Sequence, residues 1–142
     1  MDQALIVSFI LSVMTASTPL LLAATGELIT EKSGVLNLGV EGMMLVGAIV
    51  GFATTVHTGS ATLGILFAVL AGMGMALIFG ILTLTFLANQ VATGLALTIF
   101  GTGLSALVGS GYVGTAVQPL PKLALPGLSD LPFVGPILFG QD

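Results

Sequence analysis

Four polar residues in one short stretch carry most of the chemistry that this sequence could perform. Three of the six acidic residues lie there together with one asparagine: Glu27, Glu31, Asn37 and Glu41. Glu27 and Glu31 are four positions apart, as are Asn37 and Glu41, so each pair would share one face of a helix. Carboxylate and amide groups in this arrangement can bind a polar solute or a cation, and a carboxylate can also accept a proton.

The residues around this stretch are almost entirely apolar. Of the 142 residues, 56% are hydrophobic and only 6% are charged, whereas soluble domains carry about 25% charged residues. Eight charged side chains cannot cover the surface of a soluble domain of this length. We therefore predict an all-α fold, a polytopic bundle of membrane-spanning helices.

The composition also excludes several kinds of site. There is no cysteine and only one histidine, His57, so disulfides, thiolate ligands and multi-histidine metal sites are ruled out. Two basic residues cannot form a nucleic-acid interface. Residues 26–33 are similar to a phosphate-binding loop, but Glu31 replaces its second glycine and a hydrophobic helix precedes it. We expect no catalytic residue, no metal, no cofactor and no nucleic-acid partner.

Four hydrophobic stretches reach the roughly 20 residues that a helix needs to cross the hydrocarbon core. They are predicted at about 4–25, 35–56, 61–87 and 91–110. Residues 111–142 contain many prolines and glycines and are predicted to form an extracytoplasmic connecting loop. Lys32 favours a cytoplasmic position for residues 26–34 under the positive-inside rule. That orientation also places residues 88–90 inside and residues 57–60 outside.

The second span is predicted to be an interrupted helix. A carboxylate such as Glu41 costs roughly 2.5–3.5 kcal/mol in hydrocarbon unless it faces other helices or a water-filled cavity. Gly34, Gly39 and Gly42 would let the backbone unwind nearby, and interrupted helices place polar groups at transport pathways. We predict that Asn37, Gly39, Glu41 and Gly42 line a translocation pathway, with Glu41 facing the bundle. The alternative is that Glu41 lies at the membrane surface, where the helix dipole stabilises a first-turn carboxylate.

Small residues recur at helical spacing within the spans. Such residues let membrane helices approach closely, although glycine is also common in membrane helices generally. The predicted packing positions are Gly47, Gly51, Gly72, Ala76, Gly80, Gly101, Ser105 and Gly109.

Two runs of sequence resemble a known family. Residues 34–44 read Gly-Val-Leu-Asn-Leu-Gly-Val-Glu-Gly-Met-Met, and residues 88–97 read Ala-Asn-Gln-Val-Ala-Thr-Gly-Leu-Ala-Leu. Both resemble the permease subunits of bacterial ABC importers, in the branch for simple sugars and nucleosides that is related to the branched-chain amino-acid and ribose permeases. The likeness extends across all four spans. Since such permeases are about twice as long as this chain, we expect it to correspond to their N-terminal part.

The resemblance implies a transport subunit rather than an enzyme, located in the inner (plasma) membrane among its lipids. Its implied partners are a second permease subunit, cytoplasmic ATP-binding cassette ATPases and an extracytoplasmic solute-binding protein. It also implies that the segment around Asn37 and Glu41 lies beside the translocation path. Two alternatives stay open from the residues alone: an ATP-independent carrier or channel that uses Glu41, and a non-transporting membrane assembly protein.

Overall fold

The computed structural model describes residues 3–117, with side chains from residue 5 onward. This part of the chain contains four α-helices and no strand, which confirms the all-α prediction. All four helices are long and apolar enough to cross a membrane. Their bounds are Gln3–Lys32 (α1), Val40–Thr58 (α2), Ala61–Gly80 (α3) and Gln90–Gly109 (α4).

The first connection differs from the predicted one. α1 continues to Lys32 instead of ending near residue 25, so the polar run 26–32 is helical. Glutamate, lysine and threonine do not stop a helix by being polar, and Glu and Lys are good helix formers. α2 begins only at Val40, so residues 33–39 are non-helical. The second span is therefore shorter at its start than the predicted 35–56.

The turn between α2 and α3 has regular caps at both helix ends. Gly59 adopts φ 66°, and its N–H donates to the Thr55 carbonyl at 2.9 Å. Ser60 follows as the N-cap of α3, and its side chain accepts from the Leu63 N–H at 3.4 Å. A left-handed glycine and a serine N-cap are the residues that such ends prefer.

The connection between α3 and α4 begins with a π-helix at Ile81–Thr85. The Phe86 N–H donates to the Ile81 carbonyl at 3.1 Å, a bond that spans five residues. The connection ends at Asn89, whose side chain caps α4 by accepting from the Ala92 N–H at 3.0 Å. A 3-10 turn, Ser110–Tyr112, extends α4 at its other end. The predicted loop at 111–142 is described only as far as residue 117, and its remaining residues lie outside the described part of the chain.

The chain divides into two compact units. Among the described residues, one contains 3–24 and the other contains 25–117. In the first unit α1 remains helical through Pro19. The Ser17 and Thr18 hydroxyls both donate to the Met14 carbonyl, at 3.2 and 2.7 Å.

In the second unit α2 is the central helix, in contact with α3 and with α4. The small core between these helices consists of Val46, Met75, Phe79 and Leu97. Many other large apolar side chains are exposed, among them Leu77 and Ile99. A lipid-facing surface requires this composition, because lipid tails are as apolar as the side chains themselves.

Candidate functional site

Residues 33–39, termed the junction segment, begin where α1 ends in a glycine-dependent cap. Gly34 adopts φ 80°, a left-handed conformation that glycine enters without steric cost. The Val35 N–H donates to the Thr30 carbonyl at 3.1 Å, and the Gly34 N–H donates to the Glu31 carbonyl at 2.9 Å. This pair of bonds is the Schellman pattern of helix ends. The chain therefore turns away from the α1 direction at Gly34.

The junction segment is held to α1 by the Glu27 side chain. One Glu27 carboxylate oxygen accepts from the Asn37 N–H at 2.8 Å, and the other accepts from the Thr30 hydroxyl at 3.1 Å. The Asn37 side-chain oxygen in turn accepts from the Gly39 N–H at 2.9 Å. The side chains of Glu27 and Asn37 thus accept hydrogen bonds from two backbone N–H groups that have no partner within a helix.

Two side chains of α4 hold the same segment from the other side. The Gln90 side-chain oxygen accepts from the Leu36 N–H at 2.8 Å. The Thr98 hydroxyl donates to the Leu38 carbonyl at 2.8 Å. Four polar backbone groups between residues 36 and 39 therefore have side-chain partners, and these partners come from α1, from α4 and from the segment itself.

These contacts show how far the junction segment extends along α4. Gln90 and Thr98 are eight residues apart on α4, which corresponds to about 12 Å along the helix axis. With its 3-10 extension α4 is 23 residues long, enough to cross a hydrocarbon core of about 30 Å. When α4 crosses that core, a backbone that contacts it from Gln90 to Thr98 lies alongside the first third of the span. Non-helical backbone at that depth requires protein partners or a water-filled cavity.

Glycines allow the backbones to approach at this level. A Cβ atom on Gly94 would lie 2.7 Å from the Leu38 nitrogen. On Gly101 it would lie 2.6 Å from the Gly42 Cα, and on Gly42 it would lie 2.7 Å from the Thr98 Cα. All three distances are too short for a real side chain. Contact between α2, α4 and the junction segment therefore depends on glycine at these positions.

The four residues predicted for the pathway occupy two different environments. Asn37, Gly39 and Gly42 are buried, whereas the Glu41 side chain is exposed and has no hydrogen-bond or ion-pair partner within residues 3–117. The expectation that Glu41 faces the helix bundle is wrong for this part of the chain. Gly42 takes the inward position instead, because α2 and α4 cross too closely there for any larger residue. Residues 33–39 are non-helical and α2 is continuous from Val40 onward, so the irregular backbone precedes the second helix instead of interrupting it as predicted.

The predicted packing positions also separate into two groups. Gly47 and Gly51 lie against α3, where their Cβ atoms would be 3.2 Å from the Ala68 carbonyl oxygen and 3.1 Å from the Gly64 carbonyl oxygen. Gly101 contacts α2 as described above. A Cβ atom on Gly109 would lie 3.5 Å from the Ile49 side chain, an ordinary contact.

Two of the remaining predicted positions make no such contact within the described part of the chain. Cβ atoms on Gly72 and Gly80 would meet nothing within 4 Å. Ala76 is exposed, and Ser105 is half-buried. Within the described residues, the α3 glycines Gly72 and Gly80 therefore do not form the expected packing, whereas Ala68 near the start of α3 does contact α2.

His57 has a partner that sequence reasoning did not identify. Its Nε2 atom lies 2.8 Å from the Tyr112 hydroxyl oxygen, and the two rings meet edge to face. Phe52 makes a similar contact with Tyr112 at a centroid distance of 6.0 Å. This aromatic contact joins the last turns of α2 to the end of α4. Within the described residues no group of His, Cys, Asp or Glu side chains could hold a metal ion.

Three residues of the site were missed by sequence reasoning: Gln90, Gly94 and Thr98. Gln90 and Gly94 lie in the run 88–97 that carried the family resemblance, so a signal for them was present. Thr98 carried no signal, because a helical threonine normally donates to a carbonyl of its own helix.

Comparison with known proteins identifies the family. Residues 9–132 match the family described as branched-chain amino acid transport system / permease component. The chain belongs to this permease family. Family membership and the four apolar helices of residues 3–117 together make it a multi-pass protein of the inner (plasma) membrane.

Curated relatives agree with this assignment. The chain is 46% identical to the putative glucose ABC transporter permease protein TsgC13 of Haloferax volcanii over 128 residues, which cover 87% of this chain and 39% of that protein. It is 30% identical to the guanosine ABC transporter permease protein NupQ of Bacillus subtilis over 153 residues, covering 99% of this chain and 48% of that protein.

A third relative is the nucleoside ABC transporter permease protein NupC of Lactococcus lactis subsp. cremoris, 29% identical over 136 residues, or 88% of this chain and 43% of that protein. The chain thus spans less than half the length of the curated relatives it matches. No solved structure matches it.

Proposed function

We propose that this chain forms part of the translocation pathway in an ATP-driven importer of nucleosides or simple sugars. The junction segment is the observation that carries the proposal. Its backbone is non-helical at membrane depth and is held by Glu27, Gln90 and Thr98. A membrane protein keeps non-helical backbone only where protein or water surrounds it, and transport pathways provide such surroundings.

The exposed Glu41 supports the same proposal. Gly42 contacts the backbone at Thr98, so Glu41 lies at about the depth of Thr98. An acid facing lipid there would cost roughly 2.5–3.5 kcal/mol. We propose that Glu41 faces a water-filled pathway, where its carboxylate can accept hydrogen bonds from solute hydroxyl groups. Asn37, Gly39 and Gly42 shape the wall behind it.

The relatives' names support the substrate class and the partners. They name glucose, guanosine and nucleosides as solutes, and each describes the protein as an ABC transporter permease. All of these solutes present the hydroxyl groups of a sugar. The proposed partners are a second permease subunit, cytoplasmic ATPases and an extracytoplasmic solute-binding protein.

Uptake measurements test this function. Cells that lack the permease should lose uptake of radiolabelled guanosine, adenosine, glucose or ribose, and the permease should restore it only together with a functional partner ATPase. Vesicles that contain the permease without an ATPase and are driven by a proton gradient should accumulate none of these solutes. Accumulation there would establish the ATP-independent carrier and contradict the proposal.

A further inference from the structure

Thr98 differs from five other helical threonines of the described residues in the bond that its hydroxyl makes. Five threonines in α2, α3 with its π-helix, and α4 donate to the carbonyl four residues earlier in their own helix: Thr54, Thr55, Thr58, Thr83 and Thr102. Thr98 instead donates to the Leu38 carbonyl, 60 residues away in the sequence. Its hydroxyl therefore joins two elements, whereas theirs satisfy local carbonyls.

Gln90 makes the second connection of this kind. It lies in the first turn of α4, and its side-chain oxygen accepts from the Leu36 N–H. Gln90 and Thr98 bind the junction segment on both sides of Asn37. Between them, Gly94 brings the α4 backbone against Leu38. The position of Asn37 relative to α4 is therefore set at two points and cannot change without breaking a hydrogen bond.

We propose that Gln90 and Thr98 are positioning residues for transport: they make α4 and the junction segment move as one body, so that a displacement of α4 carries Asn37 with it. This rests on the proposed function of the junction segment as a pathway wall. Neither residue needs to touch the solute. Their effect should therefore fall on the maximal rate of uptake and leave the solute concentration at half-maximal uptake nearly unchanged.

The chain supplies a matched control for Thr98. Thr98→Val removes the hydroxyl that reaches Leu38 and keeps the side-chain shape. Thr102→Val makes the same chemical change one turn later in α4, at a threonine that bonds only its own helix. Thr98→Ser keeps the hydroxyl and should restore the contact. For Gln90, Gln90→Met removes the acceptor at similar length, and Gln90→Glu retains an acceptor.

Two measurements on the permease in its assembled transporter test the proposal. In the uptake assay, Thr98→Val and Gln90→Met should each lower the maximal rate about fivefold, the size expected for the loss of one hydrogen bond. Thr102→Val and Thr98→Ser should stay within about twofold of the unmodified rate. Hydrogen–deuterium exchange of residues 33–44, followed by mass spectrometry, should become faster in Thr98→Val and Gln90→Met and stay unchanged in Thr102→Val and Gln90→Glu.

The following results would contradict the proposal. Equal losses in Thr98→Val and Thr102→Val, or unchanged uptake in both, would assign Thr98 no special role. A Thr98→Val protein that fails to insert, while Thr98→Ser and Thr102→Val insert normally, would make Thr98 a folding residue only. If the unmodified transporter takes up neither nucleosides nor sugars, the proposed function fails. The exchange measurement still decides whether Gln90 and Thr98 hold the segment.

Discussion

The two faces of α2 pack against their neighbours by different means. Towards α3, small residues such as Gly51 and Gly64 allow close backbone contact, and Met75 and Phe79 belong to the same apolar core as Val46. The Thr55 hydroxyl there bonds within its own helix. Towards α4, glycines again permit backbone contact, but side-chain hydrogen bonds from α4 also hold the junction segment that precedes α2. Where both partners are regular helices, as in the described α2 and α3, apolar packing and small residues make the contact without side-chain hydrogen bonds between the helices. Where the backbone is not helical, side chains must replace the missing helical hydrogen bonds.

The largest effect should come from adding one methyl group at the α2–α4 crossing. Gly101→Ala would place its Cβ 2.6 Å from the Gly42 Cα. Backbone cannot yield as a flexible side chain does, so we expect destabilisation at or above the roughly 1–3 kcal/mol typical of overpacking. The amount of monodisperse protein after heating, measured by size-exclusion chromatography in detergent, reports this loss.

Gly103→Ala is the matched control, because it lies on the same helix and its Cβ would meet nothing within 4 Å. It should leave the thermal midpoint unchanged. Equal stability of the Gly101 and Gly103 variants would mean that α2 and α4 do not cross as described.

Gly64→Ala, the corresponding change at the contact between α2 and α3, should destabilise the protein less than Gly101→Ala. A Cβ atom on Gly64 would lie 2.8 Å from the Gly51 carbonyl oxygen and would meet the Thr55 hydroxyl. The Thr55 side chain can rotate to relieve part of this overlap, so we expect about 1–2 kcal/mol, within the range for overpacking. Gly74→Ala, in open space on the same helix, is the control. A larger loss at Gly64 than at Gly101 would reverse the ranking of the two interfaces.

Loss of the Asn37 side-chain amide should have a moderate effect. Asn37→Leu leaves the buried Gly39 N–H without its acceptor, for which we expect about 1 kcal/mol of destabilisation, the lower end of the range for an unsatisfied buried donor. Asn37→Asp keeps an acceptor oxygen and should restore the bond, although it buries a charge. The thermal midpoint should therefore fall in Asn37→Leu, and exchange of residues 33–44 should be faster. Unchanged exchange in that variant would indicate that Asn37 does not hold the segment.

The smallest effect on stability is expected at Glu41, which is exposed. Glu41→Gln should lose only the dipole interaction of a first-turn carboxylate, about 0.3–1 kcal/mol. Uptake should nevertheless change if Glu41 faces the pathway, because the shape is kept while the charge is removed. Wild-type uptake by a correctly inserted Glu41→Gln protein would support the alternative role at the start of the helix.

Sequence reasoning predicted the all-α membrane fold and irregular backbone near Gly34 and Gly39, although this segment joins two helices and does not interrupt one. Apolar length decides the spans, since a lipid environment requires helices of sufficient length with few charges. Gly34 ends α1 because glycine adopts the left-handed conformation that the cap requires. The run around Asn37 and Glu41 carried the family resemblance, and residues 9–132 match that family.

Only the tertiary structure decided which of these residues face one another. Helical spacing places Gly47, Gly51, Gly72 and Gly80 in sets that can pack, but it does not identify the helix that lies opposite. All four residues are glycines, and yet their contacts differ. Glu41 and Gly42 are adjacent in sequence, and the close α2–α4 crossing alone puts the glycine inside and the acid outside. Thr98 binds Leu38 for the same reason: the partner of a hydroxyl depends on the backbone that the fold brings beside it.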